Sequence, residues 1–167
     1  APKLSSQAQL FRRACQQAQV DPNAVNYVEA HGTGTLAGDP IEANAVGQVF
    51  GQREAGQPDC VMGSVKSNMG HLEAASGVAG LVKTALCLYH RQIPASLHFN
   101  TPNPDIAFDQ YRLRIPQELE AFPANAAGQY LAGLNSFGFG GTNVHVILSA
   151  QAAEESVQAA TPPEAAS

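Results

Sequence analysis

The first hydrophobic pattern along the chain has the spacing of a helix. Apolar residues recur every three or four positions between Ala8 and Ala18, which would give a helix one apolar face. Ser5 or Ser6 stands where an N-terminal cap is needed, and Asp21 begins an Asp-Pro turn. We therefore predict an amphipathic helix that is capped by one of these serines and ends before Asp21.

The pattern then changes to short strand-like runs that lead into glycine-rich segments. Residues 25–30 and 60–65 are such runs and predict two buried strands. Between them, Asp39 and Pro40 have the order of an N-cap and a first helical residue, which predicts a helix over residues 41–50. Strands that alternate with helices in this way indicate an α/β fold.

A second long helix is predicted over residues 72–88, and its apolar residues occupy every side. A helix that is apolar all round has to be surrounded by protein. Gly77 and Gly80 lower its helix propensity, so we expect them to permit close packing against another element. Covering this helix completely would use much of the surface of so short a chain, which indicates that half of the fold is missing.

The remaining pattern is irregular first and regular again near the end. Prolines interrupt residues 91–121, where we expect only short extended pieces at 96–99 and 110–115. Residues 130–137 and 143–149 are strand-like and flank a glycine-rich turn. Together they predict a β-hairpin.

Composition limits the organisation and the partners of the chain. Its 167 residues suit one domain, predicted over residues 1–150, and the Ala, Glu, Gln and Pro content of residues 151–167 predicts a flexible tail or linker. The net charge of −5, without a cluster of Lys or Arg, argues against a nucleic-acid partner. No apolar run reaches membrane-spanning length, and the first residues do not form a signal peptide.

Cysteine usage points to a reducing compartment. Cys15, Cys60 and Cys87 are odd in number, widely spaced and without a Cys-x-x-Cys pair. We interpret each of them as a small core residue. Together with the absence of membrane and export signals, this predicts a cytoplasmic protein.

Two histidines follow the first two predicted strands, and they are the strongest candidates for chemistry. His31 and His71 both lie in glycine-rich segments, and Lys66 precedes the second of them by five residues. Neutral imidazoles can donate hydrogen bonds to a thioester carbonyl, stabilise an enolate or move a proton. Two of them side by side could form an oxyanion hole, while the lysine would keep them neutral.

The other histidines and glycine-rich segments have simpler interpretations. His90 and His98 read as surface or loop residues, and a structural hydrogen-bonding role is one of two open readings of His145. A metal site formed by the two site histidines with Asp39 or Glu42 is disfavoured, because no His-x-x-x-His or Cys pair is present. The glycines of residues 138–141 lack the lysine and the helix that a phosphate loop requires.

Four segments of the chain form a specific set of motifs. They are EAHGTGT at 29–35, GDPIE at 38–42, GSVKSNMGHLEAASG at 63–77 and NSFGFGGTNVH at 135–145. Together they resemble the C-terminal half of a β-ketoacyl synthase, especially the ketosynthase domain of polyketide synthases and related polyunsaturated fatty acid synthases. The resemblance runs from about residue 5 to residue 149, in the order and spacing of that family. It implies an α/β, thiolase-like fold with a mixed sheet, buried and outer helices, and a second half that this chain does not contain.

The resemblance also implies a reaction and its residues. The reaction is a decarboxylative Claisen condensation of acyl and malonyl-type thioesters carried on the phosphopantetheine of an acyl carrier protein, with no directly bound cofactor. His31 and His71 would be the catalytic histidines and Lys66 the lysine that tunes the second. The implied substrate-binding residues are Thr33 and Thr35 near the phosphopantetheine arm, Asn68 in the second loop, and Phe137 and Phe139 as gates of the acyl pocket.

The sequence departs from the family in one respect that matters for function. The nucleophilic cysteine of the family lies in a Thr/Asp-Ala-Cys-Ser-Ser motif, which this sequence lacks, and none of its three cysteines matches it. The resemblance thus implies a partner N-terminal half that carries the cysteine, and a homodimer of the complete domain. The alternatives are a condensation-inactive ketosynthase-like module that binds or transfers carrier-bound acyl groups, and a structural fragment. Such inactive modules often lose the first histidine, and its retention as His31 favours the enzyme.

Overall fold

The computed structural model describes residues 3–150 and contains one mixed five-stranded sheet with helices on both faces. The predicted tail at residues 151–167 lies outside the described residues. In chain order the elements are α1 (Leu4–Ala18), β1 (Tyr27–Glu29), α2 (Gly38–Phe50), β2 (Cys60–Gly63), α3 (Lys66–Met69), α4 (Ser76–His90), β3 (Gln92–Ile93), β4 (Leu113–Arg114), β5 (Glu120–Ala121), β6 (Tyr130–Phe137) and β7 (Asn143–Ala150).

The main sheet has the strand order β4-β2-β1-β6-β7. The strands β4, β2, β1 and β6 run parallel to one another, and β7 pairs antiparallel with β6 as the predicted hairpin. In the centre, Tyr27 of β1 lies opposite Val61 of β2 and Ala132 of β6. The predicted α/β fold with a mixed sheet is confirmed. The carboxyl ends of β1, β2 and β6 consequently meet at one edge, where open α/β sheets form their sites.

Alternation along the central strands divides the core into two parts. Val28 packs in a cluster with α1 and α2, whereas its neighbour Tyr27 packs with α4 on the other side of the sheet. On β2, Met62 likewise packs in the cluster with α1 and α2, and Val61 packs in the cluster with α4. Successive side chains of a strand point to opposite faces, so these central strands are covered on both sides.

Both predicted helix caps are wrong. The first helix already begins at Leu4, so Ser5 and Ser6 lie within its first turn and cap nothing. The second begins at Gly38, where Thr35 Oγ1 accepts a hydrogen bond from the Gly38 N–H at 3.1 Å. Asp39 instead turns back to accept from the Gly34 N–H at 3.1 Å. The loop before α2 therefore supplies the contacts that start this helix.

The helix α4 packs tightly on one side and is open on the other. Gly80 faces the sheet so closely that an added Cβ would lie 2.9 Å from Leu134 Cδ1, as expected for a helix that approaches the sheet through glycine. On the outer side, Val78, Val82 and Leu86 are 63%, 54% and 50% exposed. These three residues are spaced four apart and form one apolar stripe. The prediction that this helix needs more cover than the chain supplies agrees with that stripe.

The segment between α4 and β6 is mostly irregular, as expected. Residues 96–99 form a turn and no strand, whereas the predicted extended piece at 110–115 contains β4. The two-residue strands β3 and β5 pair with each other beneath α4. Within residues 3–150, no helix has the length and apolar character needed to cross a membrane.

Candidate active site

Three loops meet at the carboxyl edge of the sheet and bring the two predicted histidines together. The ring centroids of His31, after β1, and His71, after β2, lie 5.5 Å apart with their planes nearly perpendicular. The two loops touch because Gly32 has no side chain: a Cβ there would lie 2.9 Å from Ser64 Cβ. Gly32 also has φ +48°, a region that glycine adopts at little cost.

The imidazole of His31 is oriented by the end of β6. Its Nδ1 accepts a hydrogen bond from the backbone N–H of Phe137 at 3.4 Å. The Phe137 ring also packs against it, with centroids 5.4 Å apart. Because a backbone N–H can only donate, His31 Nδ1 carries no proton and the neutral ring holds its proton on Nε2.

The imidazole of His71 is oriented in the same way by its own loop. Its Nδ1 accepts from the backbone N–H of Glu73 at 2.9 Å and lies 3.1 Å from the Ser76 hydroxyl at the start of α4. A neutral His71 must therefore also carry its proton on Nε2. The site thus contains two adjacent imidazoles, each with Nδ1 occupied and with an Nε2–H donor that has no hydrogen-bond partner among residues 3–150.

The surroundings keep His31 in its neutral form. Burial, followed by the positive charges of Lys66 and His71, lowers the pKa of His31 from 6.5 to about 4. Burial also lowers the pKa of Lys66 itself, against the attraction of nearby carboxylates. Lys66, the first residue of α3, thus acts on His31 electrostatically, in line with the expectation from the sequence that it keeps the histidines neutral.

A buried carboxylate holds the first histidine loop, a role that the sequence pattern did not indicate. Glu42 is 4% exposed, and its Oε1 accepts from the His31 N–H at 2.7 Å and its Oε2 from the Gly32 N–H at 2.9 Å. Asn135 of β6 donates from Nδ2 to the same Oε1 at 2.8 Å. Burial raises the pKa of Glu42, opposed by these three donors. The residue was visible in the GDPIE segment, but its partners are distant in sequence.

A second buried carboxylate holds the loop that carries Lys66. Glu29, 1% exposed, accepts from the Val65 N–H through Oε1 at 2.5 Å. Its Oε2 pairs with Lys83 Nζ of α4 at 2.7 Å and accepts from the Tyr27 hydroxyl at 2.5 Å. A buried carboxylate is stable when it is fully paired, as it is here. Glu29 therefore ties β1, the start of the second loop and α4 together.

A cavity of about 450 Å³ opens beside His71, whereas His31 is not among its lining residues. One wall contains Lys66, His71 and the glycine-rich turn after β1. The other wall was not anticipated, because it comes from the irregular residues 96–108. His98, interpreted as a loop residue, is an exposed loop residue and also lines this cavity. Other lining residues from this part of the chain are Leu97, Phe99, Thr101, Asn103, Ile106 and Phe108.

The candidate substrate-binding residues occupy different positions around the site. Thr33 lines the cavity. Thr35 is exposed, lies 3.3 Å from the Thr33 hydroxyl, and accepts the hydrogen bond at the start of α2. Asn68 is exposed and accepts from Ser67 Oγ at 3.3 Å. Their proposed substrate contacts remain predictions.

The two candidate gating phenylalanines differ sharply in environment. Phe137 is half-buried and stacks between His31 and Phe11, with its centroid 6.5 Å from that of Phe11. Phe139, in the turn of the hairpin, is 99% exposed. Phe137 is therefore part of the histidine site, whereas Phe139 makes no comparable packing within residues 3–150.

The cysteines are far from being activated. Cys15, Cys60 and Cys87 are all unpaired and buried. Burial raises the pKa of each thiol from 9.0 to about 11. A nucleophilic thiol needs a lowered pKa, so none of the three has the environment of a catalytic cysteine. No group of three or more His, Cys, Asp or Glu side chains within residues 3–150 is arranged to hold a metal ion.

Comparison with known families identifies the family of this chain. The family model described as "Beta-ketoacyl synthase, C-terminal domain" matches residues 1–100, which include both histidines and Lys66. The chain belongs to the β-ketoacyl synthase family. A second model, "Ketoacyl-synthetase C-terminal extension", matches residues 102–166. The cavity wall formed by residues 96–108 thus crosses the junction of the two matches.

Curated relatives are multidomain synthases. The chain is 52% identical over 155 residues to the "Hybrid PKS-NRPS synthetase pynA" of Aspergillus niger, which covers 93% of the chain and 4% of that protein. It is 47% identical over 148 residues to a "Highly reducing polyketide synthase" of Aspergillus terreus, covering 89% of the chain and 6% of the relative. The chain therefore spans a small part of the curated synthases that it matches.

Solved ketosynthases have the same fold. The ketosynthase from module 6 of the bacillaene synthase of Bacillus subtilis 168 matches with a TM-score of 0.83 and 40% identity, over 89% of this chain and 27% of that one. Ketosynthase twelve of the bacillaene polyketide synthase in Bacillus amyloliquefaciens matches with a TM-score of 0.82 and 38% identity, over 89% and 26%. The chain matches the C-terminal part of a ketosynthase domain, and the expected thiolase-like fold is confirmed.

Proposed function

We propose that this chain, completed by an N-terminal ketosynthase half, catalyses decarboxylative Claisen condensation of carrier-bound thioesters. The observation that supports the proposal most strongly is the histidine pair. His31 and His71 lie side by side, each with Nδ1 accepting a backbone hydrogen bond and Nε2–H free to donate. Two convergent donors are what a developing thioester enolate oxygen requires.

The first chemical step uses both donors. In a malonyl-type thioester, the bond between the carboxylate carbon and the α-carbon breaks, CO₂ leaves, and the electron pair remains on the α-carbon, delocalised onto the thioester oxygen. Hydrogen bonds from the Nε2–H groups of His31 and His71 stabilise that oxygen. The low pKa of His31 keeps it neutral, and a neutral imidazole with its proton on Nε2 is able to donate this hydrogen bond.

The second step joins the two substrates. The α-carbon carbanion attacks the carbonyl carbon of an acyl group held as a thioester on a cysteine, a new carbon–carbon bond forms, and the cysteine leaves as thiolate. We assign that cysteine to the absent N-terminal half, since the thiols of this chain are buried with raised pKa values. The isolated chain should then be inactive, and acyl transfer to one of its own cysteines at a useful rate would contradict this.

The substrates and the setting follow from the same assignment. Acyl and malonyl-type groups would arrive on the phosphopantetheine of an acyl carrier protein, with Thr33 and Thr35 near that arm, Asn68 in the second loop, and Phe137 and Phe139 flanking the acyl pocket. No cofactor bound directly to this chain is part of the proposed reaction. We further propose a homodimer of the complete domain and a cytoplasmic location, the latter supported by three unpaired cysteines.

The test is a complete ketosynthase assembled from this chain and an N-terminal half. Malonyl-thioester decarboxylation and condensation should both fall by about 100-fold or more in His31→Ala and in His71→Ala, since removal of one oxyanion donor typically costs ~100- to 1000-fold. His90→Ala is the matched control, because His90 is an exposed histidine at the end of α4. Unchanged turnover in both site variants would refute the proposal.

A further inference from the structure

A third histidine is buried behind the site and takes no part in the proposed chemistry. His145 on β7 is 8% exposed, and its ring packs against both Phe11 of α1 and Phe50 of α2, with centroid distances of 4.7 Å and 5.6 Å. The ring also covers Gly133 of β6, where an added Cβ would lie 2.8 Å from His145 Cε1. The surrounding side chains thus fix the plane of this imidazole.

The hydrogen bonds from His145 have a defined direction. Its Nδ1 lies 2.6 Å from Asn135 Oδ1 on the neighbouring strand, where the two residues are register partners. Asn135 Nδ2 donates to the Glu42 carboxylate, so Oδ1 is the acceptor that faces His145. The proton of a neutral His145 therefore lies on Nδ1. Nε2 is buried and has no hydrogen-bond partner within the described residues.

The direction of this relay matters for the catalytic loop. If the Asn135 amide rotated by half a turn, its oxygen would face the Glu42 carboxylate and its NH₂ would face the His145 N–H. Both contacts would then be unfavourable, acceptor to acceptor and donor to donor. With its proton on Nδ1, His145 thus reinforces the orientation in which Asn135 donates to Glu42, and Glu42 in turn accepts from the backbone of His31 and Gly32.

We propose that His145 is a positioning residue for His31. The relay from His145 through Asn135 and Glu42 fixes the backbone of His31, while Phe137, at the end of the same strand as Asn135, fixes the orientation of its ring. The kinetic test of this proposal rests on the proposed function, because it measures decarboxylation. Its structural effect on His31 can be read without any substrate.

Three substitutions separate the donor role of His145 from its packing role. His145→Asn keeps an N–H at the position of Nδ1 but loses the ring. His145→Phe keeps an aromatic ring against Phe11 and Phe50 but has no hydrogen-bond donor. His145→Gln moves its amide one bond further from the backbone, so that no donor remains at the Nδ1 position.

The variants are compared in the complete ketosynthase by malonyl-thioester decarboxylation, normalised to the folded fraction. We expect kcat to fall roughly 10- to 100-fold in His145→Phe and His145→Gln with little change in KM, because a misplaced catalytic group loses rate rather than affinity. His145→Asn should keep kcat within about threefold of the parent enzyme even where its Tm is lower. Parent-like kcat in His145→Phe with impaired kcat in His145→Asn would show a packing role and overturn the proposal. If the phenylalanine variant does not fold, equal kcat in the asparagine and glutamine variants has the same consequence.

The second measurement is the side-chain ¹⁵N spectrum of His31 in the same variants. We expect the Nε2–H tautomer of His31 to be well defined in the parent and in His145→Asn, and to be lost or mixed in His145→Phe. An unchanged His31 spectrum in every variant would refute the positioning role. An inactive parent enzyme whose His31 spectrum still responds to His145 would contradict the proposed function and leave the positioning role supported.

Discussion

Replacing Glu42 by Gln tests how much the site depends on one buried carboxylate. Glu42 Oε1 accepts from both His31 N–H and Asn135 Nδ2, and Oε2 accepts from Gly32 N–H. Glutamine has nearly the same shape but only one acceptor oxygen. In its better orientation it keeps the two bonds to Oε1 and places its NH₂ against the Gly32 N–H. One bond is lost and one donor faces another donor.

The magnitude follows from the bond that is lost. A hydrogen bond to a charged group contributes about 1.5–3 kcal/mol, and about 1.4 kcal/mol corresponds to a factor of ten in rate. If the loss is felt at His31, which follows β1 directly, kcat/KM should fall about 10- to 150-fold. The assay is malonyl-thioester decarboxylation by the complete ketosynthase, with the folded fraction measured by circular dichroism.

Glu73→Gln is the matched control for this substitution. Glu73 is also close to a site histidine, but it contacts His71 through its backbone N–H, and its side chain is exposed. The same chemical change there should leave kcat/KM within about twofold, since exposed substitutions usually change stability by no more than about 0.5 kcal/mol. If Glu42→Gln were as active as Glu73→Gln, the Glu42 carboxylate would not be what holds the His31 loop.

Three further predictions concern charge, backbone and surface. Because the pKa of His31 is lowered to about 4, decarboxylation should fall only as the pH drops through that value. Lys66→Met removes a positive charge that lowers the pKa of His31, so the acid limb of the pH–rate profile should move to higher pH. An acid limb that does not move would contradict the electrostatic role of Lys66. Gly32→Ala places a Cβ 2.9 Å from Ser64 at a residue with φ +48°, and it should reduce decarboxylation. The reduction should be larger than in Gly128→Ala, where φ is also positive but no atom lies within 4 Å of the added Cβ. Equal losses of activity in the two variants would argue against the contact between the two histidine loops. Val82→Asp should weaken co-purification with the N-terminal half, because burying an unpaired carboxylate costs several kcal/mol. Leu119→Asp, at another exposed apolar residue, is the control. Equal recovery of both variants would show that the N-terminal half does not cover α4.

The adjacency of the two histidines could be predicted from the sequence because it depends on short-range order. His31 and His71 each follow a buried strand within a glycine-rich segment, and parallel neighbouring strands bring such segments to one edge of a sheet. The apolar stripe of α4 was likewise visible, since a helix that is apolar on every side cannot be stable in water without cover. The hairpin of β6 and β7 followed from strand pattern and turn glycines.

The helix starts were predicted less well because several polar residues compete for each one. Ser5 and Asp39 are both suitable cap residues by type, yet α1 begins before Ser5. At the start of α2, the hydroxyl of Thr35 accepts the hydrogen bond that a cap residue would accept. Asp39 is used instead to hold the Gly34 N–H. Local propensity states which residues are able to cap, whereas the path of the neighbouring loop decides which of them does.

The family and the fold class could be recognised from residue types at fixed spacing, and the same motifs singled out His31, His71 and Lys66 as candidates. How these three residues are held depends on contacts between distant parts of the chain. Glu42 meets Asn135 across 93 positions, and His145 meets Asn135 through the pairing of two strands. The wall of the cavity from residues 96–108 also arises only when an irregular segment folds back over the sheet edge. Contacts of this kind leave no periodic pattern in the sequence, since they are set by which strands become neighbours and by which buried polar groups need a partner.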